Sequence, residues 1–225
     1  MNGGITARLT GIDRREAMRY LGIRGSLPED LEKDLSRCEA ILLETVRPRA
    51  VWRLADVLPG GILKDTSFRP EGENLHAVLE ICPRVILLAA TLGAETDGLI
   101  RRLQVRRMAD SVIVDALANA AIENVCDNLC ADLAEAFRPR HLTPRFSPGY
   151  GDFPLSQQRE LCGVLDITRR IGVTLTPGGL MIPQKSVTAL IGVSDQPLIS
   201  GPSGCAGCRL AGHCSYRKEG QTCGR

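Results

Sequence analysis

Lysine is scarce in this chain: Lys33, Lys64, Lys185 and Lys218 are the only four among 28 basic residues. A codon or lineage bias accounts for that, and it carries no functional weight. Charge of one sign is also in short supply, the formal net charge being +2. That excludes a nucleic-acid binder acting through bulk charge. Long apolar runs are missing: the longest without a charge, Val85–Ala94, has ten residues, about half of the ~20 a bilayer span needs. Met1–Leu9 has no basic start leading into an apolar stretch, so no secretory signal is expected. The expectations are a cytoplasmic protein with no membrane and no nucleic-acid partner. Histidine occurs only at 76, 141 and 213, without the spacing of a triad or metal site. Aromatics number eight in 225 residues, so any local concentration of them is informative.

Apolar residues make up 44% and charged residues 24%, proportions of a folded globular chain. The first sixty residues read as helical, with apolar residues three or four apart over Asp13–Leu21, Glu29–Val46 and Ala50–Leu58 and Pro28 suited to a first turn. Val85–Gly93 reads as a buried strand turning into a helix at Ala94. One glycine there is no dinucleotide fingerprint, which needs three at fixed offsets. Arg101, Arg102, Arg106 and Arg107 read as a solvated helix face, with docking of an acidic partner as the minority reading. Met108–Phe137 is the strongest helix; Met108, Val112, Ile122, Val125, Cys126, Leu129, Leu133 and Phe137 form its stripe, and Pro139 stops it. Cys126 and Cys130, one turn apart, read as small buried hydrophobes rather than metal ligands, as does Cys162. A helix over about 154–170 follows, with Asp152 or Ser156 as its cap. Gly172–Thr176 and Ser186–Ser194, joined through Pro177-Gly178-Gly179, read as an antiparallel pair.

Three of the eight aromatics fall within Arg145-Phe-Ser-Pro-Gly-Tyr-Gly-Asp-Phe153. Glycine allows close backbone approach to a ligand, and arginine grips a carboxylate through two parallel hydrogen bonds. The N-terminus of the following helix favours an anionic group further. This composition suits a flat, partly apolar molecule carrying a carboxylate. It suits equally a rigid connection pinned by its own aromatics.

The segment resembles the activation (reactivation) domain of cobalamin-dependent methionine synthase, in a stand-alone form. The resemblance rests on Arg145-x-x-x-Gly149-Tyr150, then Leu165-Asp166, Ile171-Gly-Val-Thr-Leu-Thr176 and Met181-Ile-Pro-Gln-Lys-Ser-Val187, in the family's order. Asp115-Ala-Leu-Ala-Asn-Ala-Ala-Ile-Glu123 resembles the family's long helix. The resemblance implies an α+β fold, a twisted antiparallel sheet with flanking helices. It also implies a site for S-adenosylmethionine. Arg145 would pair with the methionyl carboxylate and Glu123 would meet the ligand's cationic or hydroxyl groups. The backbone at Ser147, Pro148 and Gly149 would approach the adenosine, and Tyr150 would line the methyl side facing the corrin. Two features depart from the family: Ser156 stands near the place of a histidine that often follows the signature, and the late ligand-contacting tyrosine has no counterpart after Ser194. The implied role is reductive methylation of an inactive Co(II) corrinoid. No stretch resembles a cobalamin-binding module, so the implied partner is a cobalamin-binding methionine synthase core or another corrinoid protein, with an electron donor such as flavodoxin or ferredoxin.

Three segments result: a helical N-terminal segment (1–60), an S-adenosylmethionine-binding activation domain (61–200) and a small Cys-rich tail (201–225). The tail places Cys205, Cys208, Cys214 and Cys223 within nineteen residues. In a reducing compartment such a set reads as a metal site. Zinc would fold the appendage; a 4Fe-4S cluster would use the same ligands, and the need for an electron favours it. Protein purified anaerobically should then absorb broadly in the visible, and lose that absorption on Cys205→Ala and Cys208→Ala; colourless protein with stoichiometric zinc would refute it. An iron–sulfur redox carrier and a zinc-stabilised interaction module are the alternative functions.

Overall fold

The computed structural model describes residues 2–5, 7–23, 25, 27–66 and 68–197. The apolar run at Val85 forms β4 (Arg84–Thr91). Its neighbours are β2 (Arg49–Leu58) on one side and β8 (Ser186–Ser194) on the other, both antiparallel. Successive side chains of a strand point to opposite faces. Accordingly Ile86, Leu88 and Ala90 enter one core while Val85, Leu87 and Ala89 enter a second. Both faces are covered, which is why the run shows no polar alternation. Strand β1 (Asn2–Ile5) pairs with β2, and β5 (His141–Leu142) with β8, giving the order β1-β2-β4-β8-β5. Strand β3 (Ile62–Leu63) extends β2.

The first core lies under α1 (Arg14–Tyr20), α2 (Glu29–Thr45), α4 (Ala94–Arg106) and α5 (Met108–Ala136). The second lies under α3 (Glu73–Glu80), α6 (Gln158–Leu165) and α7 (Ile167–Ile171), with Phe68 and Phe153 fully buried in it. A mixed fold of helices on an antiparallel sheet is thus present, as the resemblance implies. Gly192 on β8 has a packing reason: a Cβ there would sit 2.6 Å from the Cys82 sulfur and 2.9 Å from a Thr143 methyl.

Several local expectations change. Ala50–Leu58 is not a helix but lies in β2, paired with β4 from Arg49↔Thr91 to Asp56↔Arg84. Its apolar spacing is ambiguous, and sheet partners on both edges together with Val51, Trp52 and Val57 decide for the strand. The first sixty residues therefore contribute two strands to the central sheet as well as α1 and α2. On α5, Met108 and Val112 are 61% and 53% exposed, outside the core; Ile113, Val114 and Leu117 take the buried face. The helix expected over 154–170 is a 3-10 turn (Leu155–Gln157), then α6, then α7, divided at Asp166 in a left-handed conformation (φ 51°). Asp152 caps neither; its carboxylate accepts from the Asn74 amide (3.0 Å) at the start of α3. The hairpin is also re-paired: β6 (Thr174–Leu175) joins β7 (Met181–Ile182) across the glycine turn, whereas β8 joins β4.

Candidate functional site

Helix α5 is apolar on almost every side because it sits between the sheet and the other helices of its layer. Its half-exposed positions Asp115, Asn119, Glu123 and Asp127 recur every four residues and so line up along one face. A cation from the sheet side closes each end of this stripe. Lys185, just ahead of β8, donates to the Asp115 carboxylate (2.8 Å) and to the Asn119 side-chain Oδ1 (2.7 Å), with its own side chain only 10% exposed. Arg145, from the loop after β5, donates through Nη2 to Glu123 (2.7 Å) and through Nη1 to Asp127 (2.9 Å). It also touches the Cys130 sulfur at 3.7 Å. The Arg145 side chain is 21% exposed, and Glu123 and Asp127 are 39% and 37% exposed.

The loop carrying Arg145 is rigid for reasons visible in its hydrogen bonds. Phe146 exchanges two backbone bonds with Leu190 of β8 (2.9 and 2.8 Å). Tyr150 N–H donates to the Ser147 carbonyl, and Gly149 N–H donates to the Phe153 carbonyl. Gly149 adopts φ 90°, open to glycine at little steric penalty. Phe153 anchors the far end against Phe68, with centroids 6.5 Å apart. Ser147 and Pro148 are half-buried. Tyr150 stands out from the turn, 63% exposed, its ring edge-to-face with Phe146. Among the described residues, Ser186–Ala189 of β8 have no strand beside them on this outer edge. Arg145, Ser147, Pro148, Gly149, Tyr150 and the α5 residue Glu123 thus belong to one neighbourhood. The loop is both of the things its composition allows: pinned by its aromatics, and presenting an arginine and a tyrosine.

Charge states follow from burial. The Cys126 thiol is pushed up to about 12 by burial. Cys130 is also raised, burial outweighing the opposing hydrogen bond from Arg145. Both therefore hold their protons near neutrality, which unsuits them to bind metal or act as nucleophiles. Cys162 is pushed up to about 11 by the same cause. No group of three or more metal-binding side chains occurs among the described residues. Cys205, Cys208, Cys214 and Cys223 lie outside them. Tyr20, at the end of α1, is raised by burial first and then by Glu16 and Glu123, so it stays a neutral phenol beside the stripe.

Three neighbours of the site are not evident in the linear sequence: Asp127, Lys185 and Tyr20. Asp127 had a usable signal, being one turn beyond Glu123 on the same face. Lys185 had a weaker one, as an isolated lysine within an otherwise uncharged stretch. Nothing local marks Tyr20, which reaches the site only because α1 packs on α5.

No protein-family model matches the chain, and no curated protein matches it. Its fold is that of a methionine synthase reactivation domain, helices flanking an antiparallel sheet. Among solved structures it is similar to a crystal structure of the MetH reactivation domain bound to AdoHcy, with a TM-score of 0.66 over 89% of this chain and 81% of that one. The two are 17% identical in sequence, so the likeness is one of fold. Among the described residues, no helix is long and apolar enough to cross a membrane.

Proposed function

We propose that the chain binds S-adenosylmethionine along the Asp115–Asp127 stripe and docks on a corrinoid protein to support its reductive methylation. The observation that carries this reading is Arg145 of the Arg-x-x-x-Gly-Tyr loop meeting Glu123 of the long helix, in a fold shared with a reactivation domain bound to AdoHcy.

The donor set fits the ligand. A zwitterionic amino acid needs a cation for its carboxylate and an anion for its ammonium, and a sulfonium favours nearby negative charge. Arg145, Glu123 and Asp127 supply both signs in a half-exposed setting where charges interact more strongly than in bulk water. Arg145 already holds two carboxylates, so the ligand's carboxylate would take the place of one. The half-exposed Glu123 or Asp127 would then turn to the incoming ammonium. In this reading the backbone at Ser147–Gly149 would approach the adenosine, and the exposed Tyr150 would line the outer, methyl side. When bound, S-adenosylmethionine supplies a methyl group to the reduced corrinoid of the partner. The protein's own contribution is positioning, and no side chain need exchange a proton.

Glu123→Gln tests the charge pairing while keeping the shape. Calorimetric titration should give saturable binding to the wild type and roughly tenfold to hundredfold weaker binding to the variant, the worth of one charge-assisted hydrogen bond. Absence of binding to the wild type would remove the reading altogether.

A further inference from the structure

The corner between α4 and α5 carries an apolar cluster that the fold leaves outside. Val105 is 89% exposed, more than any other large apolar residue described, and Met108 and Val112, close by in sequence, are 61% and 53% exposed. Arg101, Arg102, Arg106 and Arg107 lie beside Val105 and Met108 in sequence, all exposed. Arg107 is turned inward to Asp110 at 3.0 Å. Among the described residues, no carboxylate lies within ion-pair distance of Arg101, Arg102 or Arg106. A merely solvated helix face would mix charges of both signs and would not centre on three exposed apolar side chains.

The position of this corner matters as much as its composition. Met108 and Val112 fall on the same line of α5 as Asp115, Asn119 and Glu123, by the four- and three-residue spacing that superposes helical positions. At 1.5 Å rise per residue, Val112 is about 16 Å from Glu123 along the helix. A standard protein interface covers about 800 Å² on each partner, a disc roughly 30 Å across. Asp115, the near end of the stripe, is only about 5 Å from Val112 and about 11 Å from Met108 along the helix, so a protein seated over that end of the stripe also covers the corner.

We infer that the α4–α5 corner is the docking surface for the corrinoid-bearing partner, which meets it with an apolar centre ringed by carboxylates; this rests on the function proposed above. Guanidinium pairs bidentately with carboxylate, so three unpaired arginines around an apolar centre select an acidic protein surface. The corner holds no aromatic side chain, which leaves nothing to stack on bases or to anchor at a bilayer interface.

The test uses the full chain and the cobalamin-loaded binding module of a methionine synthase, with association and dissociation followed at low and high salt. S-adenosylmethionine is titrated in parallel. The wild type should associate at a rate that falls with salt. The triple variant Arg101→Glu, Arg102→Glu, Arg106→Glu should associate at least tenfold more slowly, and Val105→Asp with Met108→Asp should dissociate at least tenfold faster. Both should bind S-adenosylmethionine within twofold of wild type, which shows them folded. If the wild type binds the module and both variants bind it equally well, the corner is not the docking surface while the proposed function stands. If the wild type binds neither ligand nor module, the proposed function falls and takes this inference with it. Binding of ligand without the module, or arginine-dependent binding to anionic phosphatidylserine vesicles in its place, overturns the assignment of a protein partner.

Discussion

Arg145→Ala is expected to weaken S-adenosylmethionine binding by a hundredfold or more while the protein stays folded. The affinity loss follows from removing the guanidinium that donates to both Glu123 and Asp127. A fork-to-carboxylate contact is worth about 3 kcal/mol when partly desolvated, hence the hundredfold. The stability effect is smaller. Truncation leaves Glu123 and Asp127 as like charges one turn apart, but both are more than a third exposed and stay hydrated. Their repulsion and the lost contact with Cys130 together amount to about 1 kcal/mol. Calorimetry gives the affinity, and far-ultraviolet circular dichroism establishes the fold. Arg145→Lys, which keeps the charge without the fork, should fall between the two. Unchanged affinity in folded Arg145→Ala would show that the ligand site lies elsewhere.

What sequence reasoning reaches here has a physical boundary. Val85–Gly93 is legible because a strand covered on both faces is continuously apolar, and Gly93 (φ 92°) marks the turn into α4. The Arg145–Phe153 loop is legible because three of the chain's eight aromatics fall within it. Ala50–Leu58 is misread because apolar residues three and four apart fit a helix as well as a strand buried on both faces. The partner of β8 is misread for a related reason: Pro177–Gly179 marks a turn correctly, but the turn closes a two-residue ribbon (β6–β7) and cannot reveal that β8 crosses to β4. Asp152 stands beside the helix it was expected to cap and instead caps α3, 78 residues away in sequence. Side chains that meet only in three dimensions, such as Lys185 with Asn119, leave no local periodicity. The resemblance carried the fold, since it summarises long-range pairing that propensity does not contain.

The largest stability effect is expected away from the ligand stripe, at Asp110. Its carboxylate is 5% exposed and takes two parallel hydrogen bonds from Arg37, Nη1 to Oδ2 at 2.7 Å and Nη2 to Oδ1 at 2.9 Å. These bonds tie α2 to the first turn of α5, so they help set the helix that presents Glu123. A buried charge that loses its partner is destabilising by several kcal/mol. Arg107 still reaches Asp110 at 3.0 Å but is itself 59% exposed, so Arg37→Ala should destabilise by about 3 kcal/mol, the lower end of that range. For a chain of this length that corresponds to roughly 6–12 °C in Tm. The pH dependence has a definite sign. The hydrogen bonds from Arg37 hold Asp110 below the usual carboxylate range, so its stabilisation is present above the unfolded carboxyl value of about 3.9 and is lost as pH falls through the folded value. Urea unfolding from pH 7 down to pH 3 should therefore show a steeper acid loss in the wild type than in Asp110→Asn. Replacing both partners with apolar residues, Arg37→Met with Asp110→Leu, should recover much of what Arg37→Ala loses, because no charge is then left buried. A Tm for Arg37→Ala within 1 °C of wild type would mean that Arg107 and water suffice to hold Asp110, and that α5 is positioned by its apolar packing alone.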